Sequence, residues 1–526
     1  MTGTPTASER PPWGALVTLS AGVSLIIIDA TIVNVALPTI IDELDLTLTQ
    51  AEWINSIYAL VFASTLILFG RLGDAFGRRR VFIAGLSLFV GASLLAAVAP
   101  SGGFLILARC VQGIGGAAVL PTSLSLVNAT FRGPARAVAF GMWGATIGAM
   151  AALGPLAGGA LTEYAGWRWI FLVNLPLGAV VVVAALRLVP ESRDPEPVRS
   201  WDVAGVITLS LSLGLLVFGL IEGQTYGWLR PDEVFTVGNW EWPLTRISPI
   251  FFAFVAAALV LLGFLAIERH ARQALVDLAL FRIRSFSAGN TAALIVALGE
   301  FGLVFAIPLF VQSVLGLTAL EAGAVLAVTA VGALVGGGAA AKLSQTIGPR
   351  AVARWGLGLE VVGLLLYALT ATADHSAWWL VPGLFVYGLG VGLATAQLTS
   401  VILADVPIRR SGQASGIQST SRQIGSALGI AVLGATLAAT LASRSEKGLV
   451  AAGIPVERAQ EIAKVVKSSG GTAIPSLSGQ LPPRAAEALQ QAGSAATRIT
   501  ALVAACFVLV GLVATFLLPP QRHEDL

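Results

Sequence analysis

"SLIIIDATIVNVALP", Ser24 to Pro38, sets one carboxylate, Asp29, inside an apolar run that extends from Trp13 to Ile41. The run is about 28 residues long, and a helix needs only about 20 to cross a hydrocarbon core. A secretory leader is the competing reading. Its apolar part would be about 7 to 15 residues, followed by a small-residue cleavage site, and neither condition holds here. The stretch therefore reads as a membrane-spanning helix with an acid inside it. An aspartate at the centre of such a helix costs about 2.5 to 3.5 kcal/mol, so these residues face a bundle interior or a wet cavity, and Asp29 is expected to be functional.

The rest of the chain has the same character. Of 526 residues 56% are hydrophobic and only 12% charged, and the mean hydropathy of +0.83 lies outside the range of a soluble domain of this length. An all-α polytopic membrane protein is expected, with the lipid bilayer as its surroundings. The net charge of +3 raises the question of nucleic acid, but the basic residues recur in short loops rather than in a stripe, so no nucleic-acid partner is expected. Cys110 and Cys506 both fall in apolar spans and read as small packing residues. His270, His375 and His523 are too scattered for a metal site, and no metal or cofactor is expected.

Apolar segments occupy roughly 13–40, 52–72, 79–99, 104–127, 136–160, 167–188, 202–222, 245–267, 287–314, 319–344, 351–372, 377–404, 412–441 and 498–518, fourteen spans in all. With the N-terminus inside, Arg71, Arg78 to Arg80, Arg132, Arg136, Arg269, Arg272, Arg282, Arg284, Lys342, Arg350, Arg409 and Arg410 are among the many basic residues on the inner side. Only Arg168, Arg230 and Arg246 lie in comparable outer loops, as the positive-inside rule asks of a chain with both termini cytoplasmic. Residues 443–497 form a long external segment with two helix-like patches, Val456 to Lys467 and Arg484 to Gln491. The first repeats Val456, Ala459, Ile462, Ala463 and Val466 at helical spacing, a face suited to the membrane surface or to capping an outer mouth; a flexible connection is the alternative.

Two stretches look alike. "GRLGDAFGRRR", Gly70 to Arg80, and "AKLSQTIGPRA", Ala341 to Ala351, keep a basic residue, a leucine, a glycine and an arginine in register; "QGIGGAA" from Gln112 similarly matches "YGLGVGL" from Tyr387. The offsets, about 271 and about 275 residues, imply one duplication, with chance likeness of glycine-rich spans as the alternative, and parallel repeats of this kind belong to transporters with the substrate between the halves. Three units follow: residues 1–200 as one six-helix bundle, 201–284 as an inserted pair of spans with its linker, and 285–526 as a second six-helix bundle.

"GRLGDAFGRRR" resembles the loop signature of the major facilitator superfamily, "RCVQGIGGA" at Arg109 its fourth-span motif, and "GATIGAMAALGPLAGG", Gly144 to Gly159, its antiporter motif. "DATIVNVALP", "GWRWIFLVNLPLG" from Gly166 and "SRQIGSALG" from Ser421 further resemble the fourteen-span drug:proton antiporters of the EmrB/QacA type. The resemblance covers nearly the whole chain and implies a proton-coupled exporter of amphipathic, often cationic compounds, a monomer in a bacterial inner membrane. Ala75 departs from the signature, which has a basic residue beside Asp74; Arg78 to Arg80 are the candidates to replace it.

The residues carry their own physical reasons. Gly70, Gly73 and Gly77 allow a tight turn between helices, and Asp74 with Arg78 and Arg79 is a candidate gate; satisfying topology alone is the bland reading of those arginines. Gly144, Gly148, Gly154, Gly158 and Gly159 permit close helix packing and Pro155 permits a bend, which generic packing explains equally well. Asp29 lies about 5 Å and Arg109 about 10 Å to the outer side of their span midpoints, within an arginine's reach. Such a pair suits proton exchange, and a static ion pair is the alternative. Glu300, in the first span of the second bundle, is placed to attract a cation or exchange a proton, a helix–helix hydrogen bond being the alternative; Glu360 lies at similar depth in a span expected to be peripheral. Arg422 is expected to serve interbundle structure, with Asp405 as one candidate partner and the choice left open by the sequence. Trp53, Tyr58, Gln112, Trp143, Phe301, Phe305 and Tyr387 are candidate substrate contacts, while Trp167, Trp169, Trp378 and Trp379 suit an interfacial belt. No phosphate-loop motif is present, so a gradient must drive transport. A dedicated exporter of one endogenous lipid or metabolite, and a membrane sensor on a transporter scaffold, remain alternatives; no nucleophile and base constellation suggests an enzyme.

Overall fold

In the computed structural model the described residues are 12–131, 133–193, 202–231, 234–237, 240–243, 246–270, 278–406 and 411–516. The chain folds into helices α1 (Trp13–Leu44), α2 (Leu48–Phe76), α3 (Arg78–Ala97), α4 (Gly102–Thr130), α5 (Gly133–Ala165), the short α6 (Trp169–Leu172), α7 (Asn174–Leu188), α8 (Val203–Tyr226) and α9 (Pro249–His270). They continue as α10 (Arg284–Ser313), α11 (Ala319–Ile347), α12 (Pro349–Thr370), α13 (Val381–Leu403), α14 (Ser411–Ala451), α15 (Val456–Ser468), α16 (Ile474–Ser478) and α17 (Pro483–Thr515). Strands β1 (Thr236–Val237) and β2 (Trp240–Glu241) form a small hairpin between α8 and α9.

Among the described residues twelve helices are long and apolar enough to cross a membrane, and the bent pair Leu48–Leu66 and Leu68–Phe76 makes a thirteenth. Helix α5 covers the remaining expected span, and part of it lies in a stretch whose packing is outside the described residues. The expected unit boundary at residue 200 and the basic residues Arg132, Arg199, Arg272, Arg409 and Arg410 are likewise outside the description.

The local chemistry repeats in the two halves. Thr47 and Gln50 bond each other's backbone N–H at the start of α2, and Thr318 and Glu321 do the same at the start of α11. Each such reciprocal cap satisfies two donors that a helix end leaves open. At the far ends of these helices Gly77 and Gly348 take φ of +110° and +80°, a conformation costly for any side chain, and the chain turns at once into α3 and α12. Gly85 lies against the Gly115 carbonyl between α3 and α4, as Gly356 lies against the Gly390 carbonyl between α12 and α13.

Packing follows that repeat. Helix α1 packs on α5, α2 and α3 on α4, and α3 on α7; α10 packs on α14, α11 and α12 on α13, and α12 on α17. The halves meet where α5 packs on α11, α14 on α2 and α1 on α10, while α8 and α9 pair together and α8 lies against both α2 and α14.

Past the expected end of the thirteenth span, α14 runs on to Ala451, and α17 begins at Pro483. The patch from Arg484 to Gln491 is therefore the first part of α17 rather than a separate helix, a correction that follows from the absence of a breaker after Pro483. Helix α15 buries Ala459, Ile462, Ala463 and Val466 on the protein and leaves Val456 exposed, and Gly470 beyond it touches Leu48. The segment is a packed helical cap over one end of the bundles, opposite the Gly77 turn.

Candidate functional site

Asp29, on α1, is fully buried and ion-paired with Arg109 of α4. Gln112 Nε2 donates to Asp29 Oδ1 at 3.1 Å and Asn174 Nδ2, from α7, donates to the same oxygen at 3.2 Å. Both amides also reach Ser93 Oγ of α3, at 2.8 and 3.2 Å. Arg109 is only 1% exposed; it donates to Gln112 Oε1 at 2.9 Å and to the Ile54 carbonyl at 3.3 Å, and its guanidinium lies 4.2 Å from the Tyr58 ring centroid. Five helices thus supply one closed network. Its single positive and single negative charge cancel, which is what a low-dielectric interior requires of buried ions.

The second half carries its acid at the corresponding place. Glu300 of α10 is 5% exposed, and its Oε2 accepts from Arg422 Nη2 of α14 at 3.1 Å. Arg422 therefore pairs with Glu300 rather than with the candidate Asp405, which settles a partner the sequence left open; α14 faces α10, and spacing along one helix cannot reveal which neighbour it turns to. Helix α12 exposes Trp355, Val362, Leu365 and Leu369, and Glu360 lies on its inward side. It is fully buried, on the side of α12 that packs on α13 at Gly390.

At the α2–α3 turn Asp74 pairs with Arg78 at 2.8 Å. The arginines turn toward the chain after α7: Arg78 Nη1 donates to Ser192 Oγ at 3.2 Å, Arg79 Nη1 to the Val189 carbonyl at 3.2 Å, and the Arg79 N–H to Glu191 Oε1 at 3.0 Å. Gly73 and Gly70 lie against Thr122 and Pro121 of α4. In α5, Gly154 and Gly158 seat Thr31 and Ile32 of α1, whereas Gly159 meets Ala319 and Leu320 of α11, and Pro155 meets Gly323. Gly144 and Gly148 lie in the stretch of α5 whose packing is outside the described residues.

The expected aromatic contacts divide. Tyr58, Phe305 and Tyr387 are buried in packed interior, and Gln112 belongs to the Asp29 network. Trp53 Nε1 donates to Glu222 of α8 at 2.9 Å, so it faces the inserted pair. Phe301 and Trp143 are half-buried, and the Trp143 N–H has no hydrogen-bond partner among the described residues. Trp167 leaves the expected belt: it is fully buried with its N–H on Glu43 at 2.8 Å, while Trp169, Trp378 and Trp379 are exposed. Asn174 and Ser93 were not singled out from the sequence, although Asn174 stands inside "GWRWIFLVNLPLG".

The sequence profile described as Major Facilitator Superfamily matches residues 19–430. The chain is similar, at 31% identity over 486 residues, to the tetracenomycin C resistance and export protein of Streptomyces glaucescens, covering 91% of this chain and 86% of that one. It is similar at 33% identity to the multidrug efflux pump LfrA of Mycolicibacterium smegmatis, with 96% of each chain covered. Among solved structures, a bacterial homolog of the human lysosomal transporter Spinster, inward-facing and unoccupied, superposes with a TM-score of 0.62 at 19% identity, covering 98% of this chain and all of that one.

Proposed function

The chain belongs to the Major Facilitator Superfamily, and from that premise we propose that it is a proton-coupled drug efflux transporter, exporting amphipathic, often cationic compounds by alternating access. The observation that carries the proton is the pair of acids at corresponding places of two repeated bundles, Asp29 and Glu300, each held by an arginine within membrane-spanning helices. A carboxylate that can exchange an arginine partner for a proton is the means by which a gradient does work; one proton crossing 100 mV supplies about 2.3 kcal/mol. Asp29 with Arg109 is the proton-exchanging pair of the first bundle, Glu300 that of the second, and Phe301 and Trp143 are the aromatic groups nearest to presenting a face to substrate. Asp74, Arg78 and Arg79 gate the turn end.

In this reading residues 1–200 and 285–526 are the two bundles and 201–284 the inserted pair. The protein is a monomer in a bacterial inner membrane, with the Gly77 turn and both termini in the cytoplasm and the α15–α16 cap outside. Reconstitution in proteoliposomes with an imposed pH gradient tests it: dyes and natural products are expected to be moved uphill with counterflow of protons. Movement that ignores the gradient would sink the coupling, and no movement of any compound would sink transport. The tetracenomycin relative supports a second reading, export of one endogenous product. A substrate panel separates the two, because a dedicated exporter moves one chemical class and leaves cationic dyes behind.

A further inference from the structure

Away from the two buried ion pairs, one carboxylate stands among aromatic rings. Glu222 of α8 accepts from Trp53 Nε1 of α2 through Oε1 at 2.9 Å, and among the described residues no basic side chain pairs with it. Phe218 and Tyr226 lie four residues before and after Glu222, so the three share one face of α8. Phe218 and Tyr226 are two turns apart, about 12 Å along the axis. Phe235, just before β1, spans that interval: its ring centroid is 6.2 Å from that of Phe218 and 4.9 Å from that of Tyr226, so it lies over the turn that carries Glu222. It stands at 86° and 82° to those rings, and Trp53 closes the α2 side with its centroid 6.5 Å from that of Phe218. The four rings are walls around the acid rather than a stack, and all five side chains are half-buried.

Packing alone does not ask for an acid there. A carboxylate partly withdrawn from water loses hydration, and one neutral N–H returns little of it. The arrangement gains when a cation enters, because ring faces attract an ammonium within about 6 Å of their centroids, more strongly as water is excluded, and the carboxylate supplies the opposite charge. The rings also offer apolar area to the cation's substituents, which a bare metal ion does not use.

We propose that Trp53, Phe218, Glu222, Tyr226 and Phe235 form a binding site for an organic cation, an alkyl- or aryl-substituted ammonium or phosphonium. The site lies between α2 and the inserted pair, not between the two repeated bundles. Trp53 is five residues from the start of α2 and Glu222 four from the end of α8, about 6 to 8 Å from those ends. The ends themselves meet, with the Thr49 and Thr225 hydroxyls 3.4 Å apart. In the topology proposed above this is the outer side, where an ammonium arrives either on a soluble amphipathic compound or on a lipid amine headgroup.

The site is tested on the purified full-length protein in detergent, by photolabelling with a quaternary ammonium that carries an aryl azide and mapping the labelled peptides. Label is expected on the segments that hold Trp53 and Phe218 to Phe235. Glu222→Gln keeps an acceptor oxygen for Trp53 Nε1, so the variant is expected to fold and to lower labelling of these segments about tenfold. Phe235→Leu, on the connection between α8 and α9, leaves the acid in place and is expected to lower it severalfold. No label on these segments in the wild type, or label that Glu222→Gln leaves unchanged, overturns the site; if that variant does not fold, label unchanged by Phe235→Leu overturns it. Removal of the label by uncharged triphenylphosphine oxide as readily as by tetraphenylphosphonium also overturns it, since the acid would then select nothing. Removal by tetraphenylphosphonium alone assigns the site to soluble cations, and removal by short-chain phosphatidylethanolamine alone assigns it to a lipid headgroup. Binding does not rest on the exporter reading: a labelled site in a protein that moves no compound leaves the site standing and sinks transport, while export without label does the reverse.

Discussion

Asp29 and Arg109 can be told apart as proton carrier or static pair because each case leaves a different residue stranded. In Asp29→Asn the guanidinium of Arg109, 1% exposed, keeps only neutral acceptors, Gln112 Oε1 and the Ile54 carbonyl. Removing one partner of a buried ion pair costs about 3 to 5 kcal/mol, so this variant is expected to lose thermal stability and uphill export together. Asp29→Asn with Arg109→Gln should regain most of the stability, since the coupling between neighbours is what the double change measures. A double variant that is stable yet cannot drive uphill export supports the carrier; one that regains uphill export removes that role. At this scale charge was legible and neutral polarity was not. Asp29 and Arg109 stand out in apolar runs, and their depths could be matched from the sequence alone. Asn174 and Ser93 carry no charge to mark them, and the partner of Arg422 depended on the facing of α14, which periodicity leaves open.

The α2–α3 turn is the element whose reading depends most on separating stability from movement. Asp74 and Arg78 pair at 2.8 Å with side chains 36% and 20% exposed, so their contribution to stability is small, within about 1 kcal/mol for a solvated pair. Asp74→Asn is therefore expected to leave membrane abundance and melting temperature nearly unchanged while slowing export. Normal export at matched abundance would show that the turn does not gate. Helix contacts between the halves make a second test at this scale. Gly323 of α11 lies against the Pro155 backbone of α5, where rigid main chain cannot yield to a side chain. Gly323→Leu should hold the helices apart at the capped end and slow export severalfold, with substrate-site labelling from that side increased; unchanged labelling would mean that the contact is incidental. The small-residue run of α5 was visible in the sequence, but not that Gly154 and Gly158 serve α1 while Gly159 serves α11. Trp167 shows the same limit, because a tryptophan beside a span end reads alike whether it faces lipid or is buried on Glu43.

The whole molecule is two repeats that touch along α5–α11, α14–α2 and α1–α10, with one described polar contact near the middle of α2, Thr420 Oγ1 donating to the Ala63 carbonyl at 3.2 Å, and two toward the capped end. The Leu320 N–H donates to Glu163 at 3.1 Å, and Gln312 Nε2 donates to the Val35 carbonyl at 2.9 Å. The repeat itself was readable from two loop motifs and two glycine-rich spans; which faces meet was not, because the seam is made mostly by backbone and small side chains rather than by a complementary charge pattern. If the halves rock to expose the site alternately, these contacts must break in every cycle. Cysteines at Glu163 and Leu320, in a background with Cys110 and Cys506 replaced, should form a disulfide under mild oxidation and stop export, and reduction should restore it. Each single cysteine variant should export normally under both conditions, which separates the effect of the link from that of the lost Glu163 bond. Export that continues while the link is intact would mean that the capped ends stay together throughout transport, and the rocking of one bundle against the other would have to be abandoned.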